Sequence, residues 1–440
     1  MSTPAQTTRS AELFQRARKV LPGGVSRNAV LRDPNPLYVD HAYGCHIVDV
    51  DGVDRIDFAN NMASLIHGHA NPDMVRVVGE QIKKGTAFNM GTEVEIEYAE
   101  YLLSRNEGFE QLRFVNSGTE ALMLAIKASR AYTNRPMIAK AEGAYHGAYD
   151  YVEISQAPGP DGWGNADRPS NVPLVSGTPE SAMSDVVVFP FNNIDKTLEL
   201  LNKHADQLAC VVIDLMPHRV GLNPAEPDFV KALRDWTTEN GVLLVIDEVI
   251  TFRSEFGGLQ EQYGIQADIT ALGKMIGGGF PIGAAAGRAE FMDVLNPKSK
   301  RYLYPHSGTF SANPVSMVAG YAAMQKFDHA AVERLNGLAQ RAIAGIESAI
   351  SSTGVVASVT GSGSMFRVHV KEHAPRNYRE AYLSPQEAPK LKFLLDHMFD
   401  EGFMLINTCS SALSTPMTEN DIDELIAAYT RGFEKLAAEH

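Results

Sequence analysis

The chain has 440 residues and a formal net charge of −14, and 44% of its residues are hydrophobic and 21% charged. Because this length exceeds the size at which a single hydrophobic core usually stops growing, two domains are expected, and the composition excludes disorder throughout the chain. The acidic charge excludes nucleic acid or an anionic membrane as the main partner, since both require a basic surface.

The cysteines and the apolar segments bear on the cellular compartment. Cys45, Cys210 and Cys409 lie far apart in sequence and form neither a disulfide framework nor a metal-binding motif, which is typical of a reducing environment. Residues 1–10 lack the apolar centre of a secretory signal, and no segment approaches the roughly 20 apolar residues that a membrane span requires. We therefore expect a cytoplasmic protein.

The first part of the chain has short elements. A helical pattern over residues 9–20 ends at Pro22-Gly23-Gly24, a strong helix breaker. Strand-like segments follow at 37–39 and 46–50, which predicts a small meander outside the main sheet. We expect residues 1–71 to form an N-terminal segment that packs with a smaller domain.

From Pro72 onward, helical patterns alternate with apolar strands. Strands are predicted at residues 111–115, 137–139, 186–189, 209–214, 242–246 and 269–273. Helices are predicted at residues 74–82, 94–103, 120–132, 228–240, 315–327 and 331–352. This alternation predicts a doubly wound, mostly parallel sheet. We assign residues 72–328 to a large domain and residues 329–440 to a C-terminal small domain of the α+β class.

One segment breaks the alternation. Residues 155–184 are rich in proline and glycine and have little periodicity. Because long loops in compact domains usually have a function, we interpret this one as an active-site cover, with a surface insertion as the alternative.

Two polar residues follow buried strands between residues 241 and 283. Asp247 ends one apolar run and Lys274 ends another. The carboxyl ends of such strands meet at the crevice where α/β sheets bind ligands. An aspartate and a lysine together suit pyridoxal phosphate, because the lysine can join its aldehyde and the aspartate can keep its pyridine nitrogen protonated. Either residue alone is as readily explained by a loop or cap.

Two further turns support a cofactor site. Ser117-Gly118-Thr119 lies between a predicted strand and a helix, where backbone N–H groups can bind an anion, although Ser and Thr are equally suited to capping the helix. Tyr145 and His146 follow another strand. The tyrosine could stack on a flat cofactor ring, or the pair could simply be half-buried packing. Neither a Walker A loop nor a complete dinucleotide fingerprint is found in the sequence.

Taken together, these motifs resemble those of a known family. One more motif, Gly308-Thr309-Phe310-Ser311-Ala312-Asn313-Pro314, follows them in the chain. The chain resembles the class-III aminotransferases, and within them the branch that holds glutamate-1-semialdehyde aminomutase and the β-amino-acid (β-phenylalanine-type) aminotransferases. The resemblance implies an α/β fold-type I transferase that depends on pyridoxal phosphate, with a large doubly wound mixed, mostly parallel sheet domain and a smaller α+β domain.

The resemblance also implies a role for each site residue. Lys274 and Asp247 would be catalytic, Lys274 by joining the cofactor and carrying protons, Asp247 by pairing with the pyridine nitrogen. The other implied cofactor-binding residues are Ser117, Gly118 and Thr119 at the phosphate, Tyr145 and Val249 on the two ring faces, His146, and Thr309, which reaches the phosphate of the neighbouring subunit. The unit would then be a homodimer with shared active sites. A lysine in this apolar crevice is expected to have a lowered pKa.

Substrate binding is less uniform within the family. The aminomutase motif has an arginine where this chain has Val30, whereas Ser26-Arg27-Asn28 resembles the carboxylate-binding motif of the β-amino-acid aminotransferases. The second arginine of that pattern falls at about Thr408 and is missing. Arg219, Arg367 or Arg253 could supply the cation, or each could be an ordinary surface or ion-pair arginine. We predict Arg27 and Arg219 as substrate-binding residues.

The sequence therefore predicts an aminotransferase that moves an amino group from an amino acid, of the β or ω type, to a 2-oxo acid. The alternatives are an intramolecular amino shift of the aminomutase type, and a racemase or epimerase on the same cofactor. A small-molecule donor and acceptor are the expected partners, without nucleic acid or membrane.

Overall fold

The computed structural model describes residues 8–438. Its strands are β1 (Val39–Tyr43), β2 (His46–Asp49), β3 (Asp54–Asp57), β4 (Gln111–Val115), β5 (Met137–Ala141), β6 (Gly164–Asn165), β7 (Arg168–Pro169), β8 (Val186–Phe189), β9 (Leu208–Ile213), β10 (Leu243–Asp247), β11 (Ile269–Gly273), β12 (Gly283–Gly287), β13 (Ser358–Ser362), β14 (Met365–His369), β15 (Phe403–Met404) and β16 (Ser410–Ala412). Its helices are α1 (Arg9–Ala17), α2 (Asn60–Ala63), α3 (Pro72–Ile82), α4 (Glu93–Leu103), α5 (Gly118–Thr133), α6 (Asp150–Glu153), α7 (Glu180–Ser184), α8 (Ile194–Asn202), α9 (Pro227–Asn240), α10 (Ala289–Met292), α11 (Pro314–Lys326), α12 (His329–Thr353), α13 (Tyr378–Ala381), α14 (Glu387–Asp400) and α15 (Glu419–Ala438).

The central sheet has seven strands in the order β4-β12-β11-β10-β9-β5-β8. Strands β8, β5, β9, β10 and β11 run parallel, and β12 runs antiparallel between β11 and β4. Every residue of the five parallel strands is buried, as expected when helices cover both faces of a sheet. The predicted α/β class with a mixed, mostly parallel sheet is confirmed.

Strand β12 was not predicted from the sequence. Its residues are Gly-Ala-Ala-Ala-Gly, which lack the β-branched and aromatic side chains that identify strands. Close packing explains the small residues, since a β-carbon on Gly283 would lie 2.1 Å from the carbonyl oxygen of Ser117. The strand therefore brings the sheet directly against the N-terminal end of α5.

The predicted meander forms, and it recruits a strand from the other end of the chain. Strands β1, β2 and β3 pair antiparallel, and β15 pairs parallel with β3. A separate sheet has the order β13-β14-β16. The division into residues 1–71, 72–328 and 329–440 stays a prediction, and residues 1–7 and 439–440 lie outside the described residues.

Among residues 8–438, no helix is both long enough and apolar enough to cross a membrane.

Candidate active site

The predicted aspartate and lysine lie at one edge of the central sheet. Asp247 is the last residue of β10 and pairs with Ala271 of β11, and Lys274 directly follows β11. Lys274 has a φ of 49°, in the left-handed region that side-chain-bearing residues rarely adopt. Strained backbone of this kind is concentrated at functional sites, which supports a functional position for Lys274.

Asp247 is held by two hydrogen bonds. Its Oδ2 lies 2.8 Å from Nδ1 of His146, and its Oδ1 accepts from the backbone N–H of Val249 at 3.0 Å. Burial lowers the pKa of His146, so the imidazole is neutral and, when Nδ1 donates to the carboxylate, Nε2 is an acceptor. This Nε2 is buried and has no hydrogen-bond partner among residues 8–438. The pair therefore presents an oriented carboxylate at the sheet edge.

The turn at the start of α5 meets two other predicted segments. Ser117 Oγ accepts from the N–H of Glu120 at 3.1 Å and caps the helix, which leaves the first N–H groups of the helix without an intrahelical acceptor. A β-carbon on Gly118 would lie 2.7 Å from Cγ1 of Val249, and one on Gly147 would lie 2.5 Å from Oγ1 of Thr119. The helix N-terminus, Val249 and the loop after β5 thus adjoin one another, in an arrangement that can bind an anion.

Tyr145 and Arg219 also lie together. The ring of Tyr145 is 45% exposed, and the guanidinium carbon of Arg219 lies 5.3 Å from its centroid. Arg219 comes from the turn after β9 and is itself exposed. The structure thus places the predicted Arg219 beside the predicted stacking residue.

Asp214 is a further acid at this edge, which the sequence reasoning did not assign to the site. The pairing of Ile213 with Ile246 places it next to Asp247. Burial raises the pKa of Asp214, and the charge of Asp247 raises it further, whereas Lys274 lowers it. The signal was present in the sequence, since Asp214 follows a buried strand just as Asp247 ends one.

Lys274 has the electrostatic environment that the sequence predicted. Burial lowers the pKa of its ammonium group, and the carboxylates of Asp247 and Asp214 oppose that effect. An amine with a lowered pKa is both a better nucleophile and a better base near neutral pH.

Glu248, beside Asp247, has a different task. It accepts from Oγ1 of Thr251 and from the backbone N–H groups of Leu259 and Gln260, at 2.5, 3.1 and 2.9 Å. Burial raises the pKa of Glu248 to about 7. Its contacts fix the turn at Leu259–Tyr263.

Two predicted residues lie on the outside of the chain. Thr309 is exposed, and so is Phe310 at 58%. Their turn adjoins the start of α5, since a β-carbon on Gly308 would lie 3.7 Å from Nδ2 of Asn116. Arg27 is also exposed, and its Nη1 donates to Oδ1 of Asn61 at 2.7 Å. Thr309 and Arg27 thus both lie at the surface of the chain.

Residues 155–184 are hydrogen-bonded to the C-terminal part of the chain. Tyr378 Oη donates to the carbonyl of Pro158 at 2.9 Å, and Arg379 donates to the carbonyl of Trp163 at 2.8 Å. Arg379 also binds Glu142 with both Nε and Nη2, at 2.8 and 2.9 Å. The role of this segment as an active-site cover stays a prediction, and the Arg379–Glu142 pair could not be found from sequence spacing.

Comparisons with known proteins found similar sequences and similar structures. A family model described as "Aminotransferase class-III" matches residues 28–430. The glutamate-1-semialdehyde 2,1-aminomutase of Methanothermobacter thermautotrophicus is 39% identical over 374 residues, which are 85% of this chain and 86% of the relative. An ω-transaminase from Sphaerobacter thermophilus is 45% identical with a TM-score of 0.94 over 98% of both chains. A β-phenylalanine aminotransferase from Variovorax paradoxus is 31% identical with a TM-score of 0.84 over 96% of this chain and 93% of its own.

Proposed function

The chain belongs to the class-III aminotransferases, enzymes that depend on pyridoxal phosphate, and from this premise we propose that it transfers an amino group from a β- or ω-amino acid to a 2-oxo acid. The observation that carries this proposal is the pair of positions 27 and 30. Ser26-Arg27-Asn28 resembles the motif in which the β-amino-acid aminotransferases have a carboxylate-binding arginine, and Val30 replaces the arginine that the resemblance to the aminomutase motif would imply. A guanidinium is suited to a carboxylate because it can donate two parallel hydrogen bonds.

The residues of the site fit pyridoxal phosphate. The free N–H groups at the start of α5 suit its phosphate, the oriented carboxylate of Asp247 suits its pyridine nitrogen, and Lys274 suits its aldehyde. Tyr145 and Val249 are proposed to lie on the two faces of the ring. When bound, the cofactor withdraws electrons from the amino-bearing carbon of the substrate and makes its C–H bond acidic.

The chain's own residues then have distinct tasks. Lys274, with its lowered pKa, would take the proton from that carbon and deliver it to the former aldehyde carbon of the cofactor. His146 holds the carboxylate of Asp247 in place by donating to it. Arg27, held by Asn61, grips the carboxylate of the amino donor.

The proposal includes a homodimer. Large apolar side chains are exposed within residues 302–310, the segment that includes Thr309, with Tyr302 at 42%, Leu303 at 57% and Phe310 at 58%. Exposed apolar patches of this kind mark surfaces that bind protein. A second copy of the chain seated there would cover them and bring Thr309 to the neighbouring phosphate site.

A half-reaction tests the proposed function against its alternatives. The purified enzyme with pyridoxal phosphate is given a β-amino acid and no oxo acid, and the cofactor absorbance and the product are followed. A transaminase stops after one equivalent, with the cofactor in its amino form, and resumes when pyruvate or 2-oxoglutarate is added. Full conversion without an acceptor would instead indicate an aminomutase, and loss of optical activity without net conversion would indicate a racemase.

A further inference from the structure

Arg367 is a buried cation that has no counter-ion among residues 8–438. It is the third residue of β14, and only 5% of it is exposed. Its Nη1 donates to the carbonyl of His218 at 3.1 Å, while its Nε is buried without a partner. Within residues 8–438 it forms no ion pair with an acid. Burial lowers its pKa only to about 10, so the guanidinium is charged at neutral pH.

Such a group is costly to keep in a folded protein. Burial of an unneutralised charge is strongly unfavourable unless hydrogen bonds or an opposite charge compensate it. Arg253, which is also buried, has more acceptors in the same chain, since its Nε, Nη1 and Nη2 donate to Ser364, Ala63 and Leu413. Among residues 8–438, the side chain of Arg367 has only the carbonyl of His218 as an acceptor. A bound anion would supply the acceptor that its Nε lacks.

The position of Arg367 connects it to the candidate active site. Its neighbours Phe366 and Val368 pack into the core, so Arg367 leaves the opposite face of the strand, towards the turn after β9. His218, on that turn, is affected by the charges of Arg367, Lys274 and Arg219, which add to burial in lowering its pKa to about 3. Arg367 thus contacts His218 directly, and the charge of Lys274 acts on the same histidine.

Arg367 also adjoins the position where the expected second arginine is missing. It pairs with Ser410 on β16, and Ser410 Oγ lies 2.8 Å from Oγ1 of Thr408. Thr408 Oγ1 in turn lies 3.0 Å from Nε2 of His218. Position 408 has a threonine where the family pattern has an arginine, and Arg367 can therefore provide the guanidinium from the neighbouring strand.

The proposed reaction requires a second carboxylate receptor. The reacting carbon of both substrates is fixed at Lys274, but a β-amino acid carries its carboxylate one carbon farther from that carbon than a 2-oxo acid does. One rigid guanidinium cannot make two parallel hydrogen bonds to both. We propose, on the basis of the proposed function, that Arg367 binds the carboxylate of the 2-oxo acid while Arg27 binds that of the amino donor.

The test separates the two half-reactions. Arg367→Gln and Arg367→Lys are compared with the wild type and with Arg376→Gln, whose side chain is 72% exposed. The amino form of each enzyme is mixed with pyruvate or with propanal, which lacks the carboxylate. For Arg367→Gln, we expect kcat/KM for pyruvate to fall about 10- to 100-fold, because a charged hydrogen bond to the carboxylate is lost. The kcat/KM values for propanal and for the β-amino donor should change less than about twofold. Arg367→Lys should recover part of the loss, and Arg376→Gln should match the wild type.

Stability gives a second readout, independent of turnover. Because Arg367 has no counter-ion, Arg367→Gln should unfold at the same temperature as the wild type or a higher one, and propionate should raise the unfolding temperature of the wild type more than that of the variant. Equal losses with pyruvate and propanal, or a less stable variant, would assign Arg367 a structural role and overturn the proposal. Unchanged pyruvate kinetics would overturn it as well.

These outcomes differ from failure of the proposed function. That failure would appear in the wild type, as no transfer from a β- or ω-amino acid to any 2-oxo acid. The propionate measurement decides the role of Arg367 even then, since it requires only binding of a carboxylate.

Discussion

Nδ1 of His146 lies 2.8 Å from Oδ2 of Asp247, and both side chains are buried. The contact joins the loop after β5 to the end of β10, and it leaves the carboxylate oriented by a neutral donor. A charged ligand atom that pairs with Asp247 then meets an anion that is already in place, with little reorganisation needed on binding.

The first prediction concerns this pair. His146→Leu leaves Asp247 with only the N–H of Val249 as a donor, so we expect the affinity for pyridoxal phosphate to fall about 10- to 100-fold. Absorbance titration of the apoenzyme measures the dissociation constant. His146→Asn should restore part of the affinity. His67→Asn is the control, since His67 is also buried but contacts Thr415 and Ala323; an equal loss there would mean that any buried histidine produces the effect.

The second prediction concerns Lys274. Lys274→Ala should abolish both turnover and the visible absorbance of lysine-bound pyridoxal phosphate, because the variant lacks the amine that joins the aldehyde of the cofactor. Equilibrium dialysis should show that the variant still binds the cofactor reversibly, which excludes misfolding as the cause. Retention of the absorbance band together with turnover would contradict the assignment.

The third prediction concerns Arg27. Arg27→Ala should raise KM for a β-amino acid about 10- to 100-fold while sparing simple amines, since only the acid loses a charge-assisted hydrogen bond. Asn61→Ala should have a smaller effect of the same kind, because Asn61 positions the guanidinium. Steady-state kinetics with the acid and the matching amine provides the measurement. Equal effects on both substrates would show that Arg27 does not bind the carboxylate.

Local patterns in the sequence predicted much of the fold. The bounds of β4 and β8 are those predicted, because each is a short apolar run next to clear turn signals. Lys274 and Asp247 followed from the rule that parallel strands end at one crevice. Strand β12 was missed because its glycines and alanines reflect close packing against α5, which is a long-range contact.

Long-range contacts also explain which side-chain pairings could not be predicted from the sequence. Arg379 meets Glu142 across 237 positions, and Arg367 meets His218 across 149. No spacing rule connects residues so far apart, and a buried arginine resembles a surface arginine in sequence. The choice among Arg219, Arg253 and Arg367 therefore required burial and hydrogen-bond partners.

The fourth prediction is a loss of stability in acid, which His369 should cause. It is 3% exposed, its Nε2 lies 2.9 Å from Thr360 Oγ1 and 3.0 Å from the carbonyl of Gly221, and burial lowers its pKa to about 3. In the unfolded chain a histidine has a pKa of about 6.5, so below that pH the unfolded state binds a proton that the folded state does not. The contribution of His369 to the free energy of unfolding is therefore complete above pH ~6.5 and is lost as the pH falls towards about 3.

The expected size follows from the same linkage. At pH 5 the free energy of unfolding should be lower by about 2 kcal/mol than at pH 7.5, and His218 adds to the loss in the same direction. Denaturant unfolding of the holoenzyme across this range provides the measurement. His369→Gln should reduce the pH dependence by about one proton, whereas His41→Gln, at a side chain that is 58% exposed, should leave it unchanged. An identical slope in His369→Gln and the wild type would show that His369 is not the group that titrates.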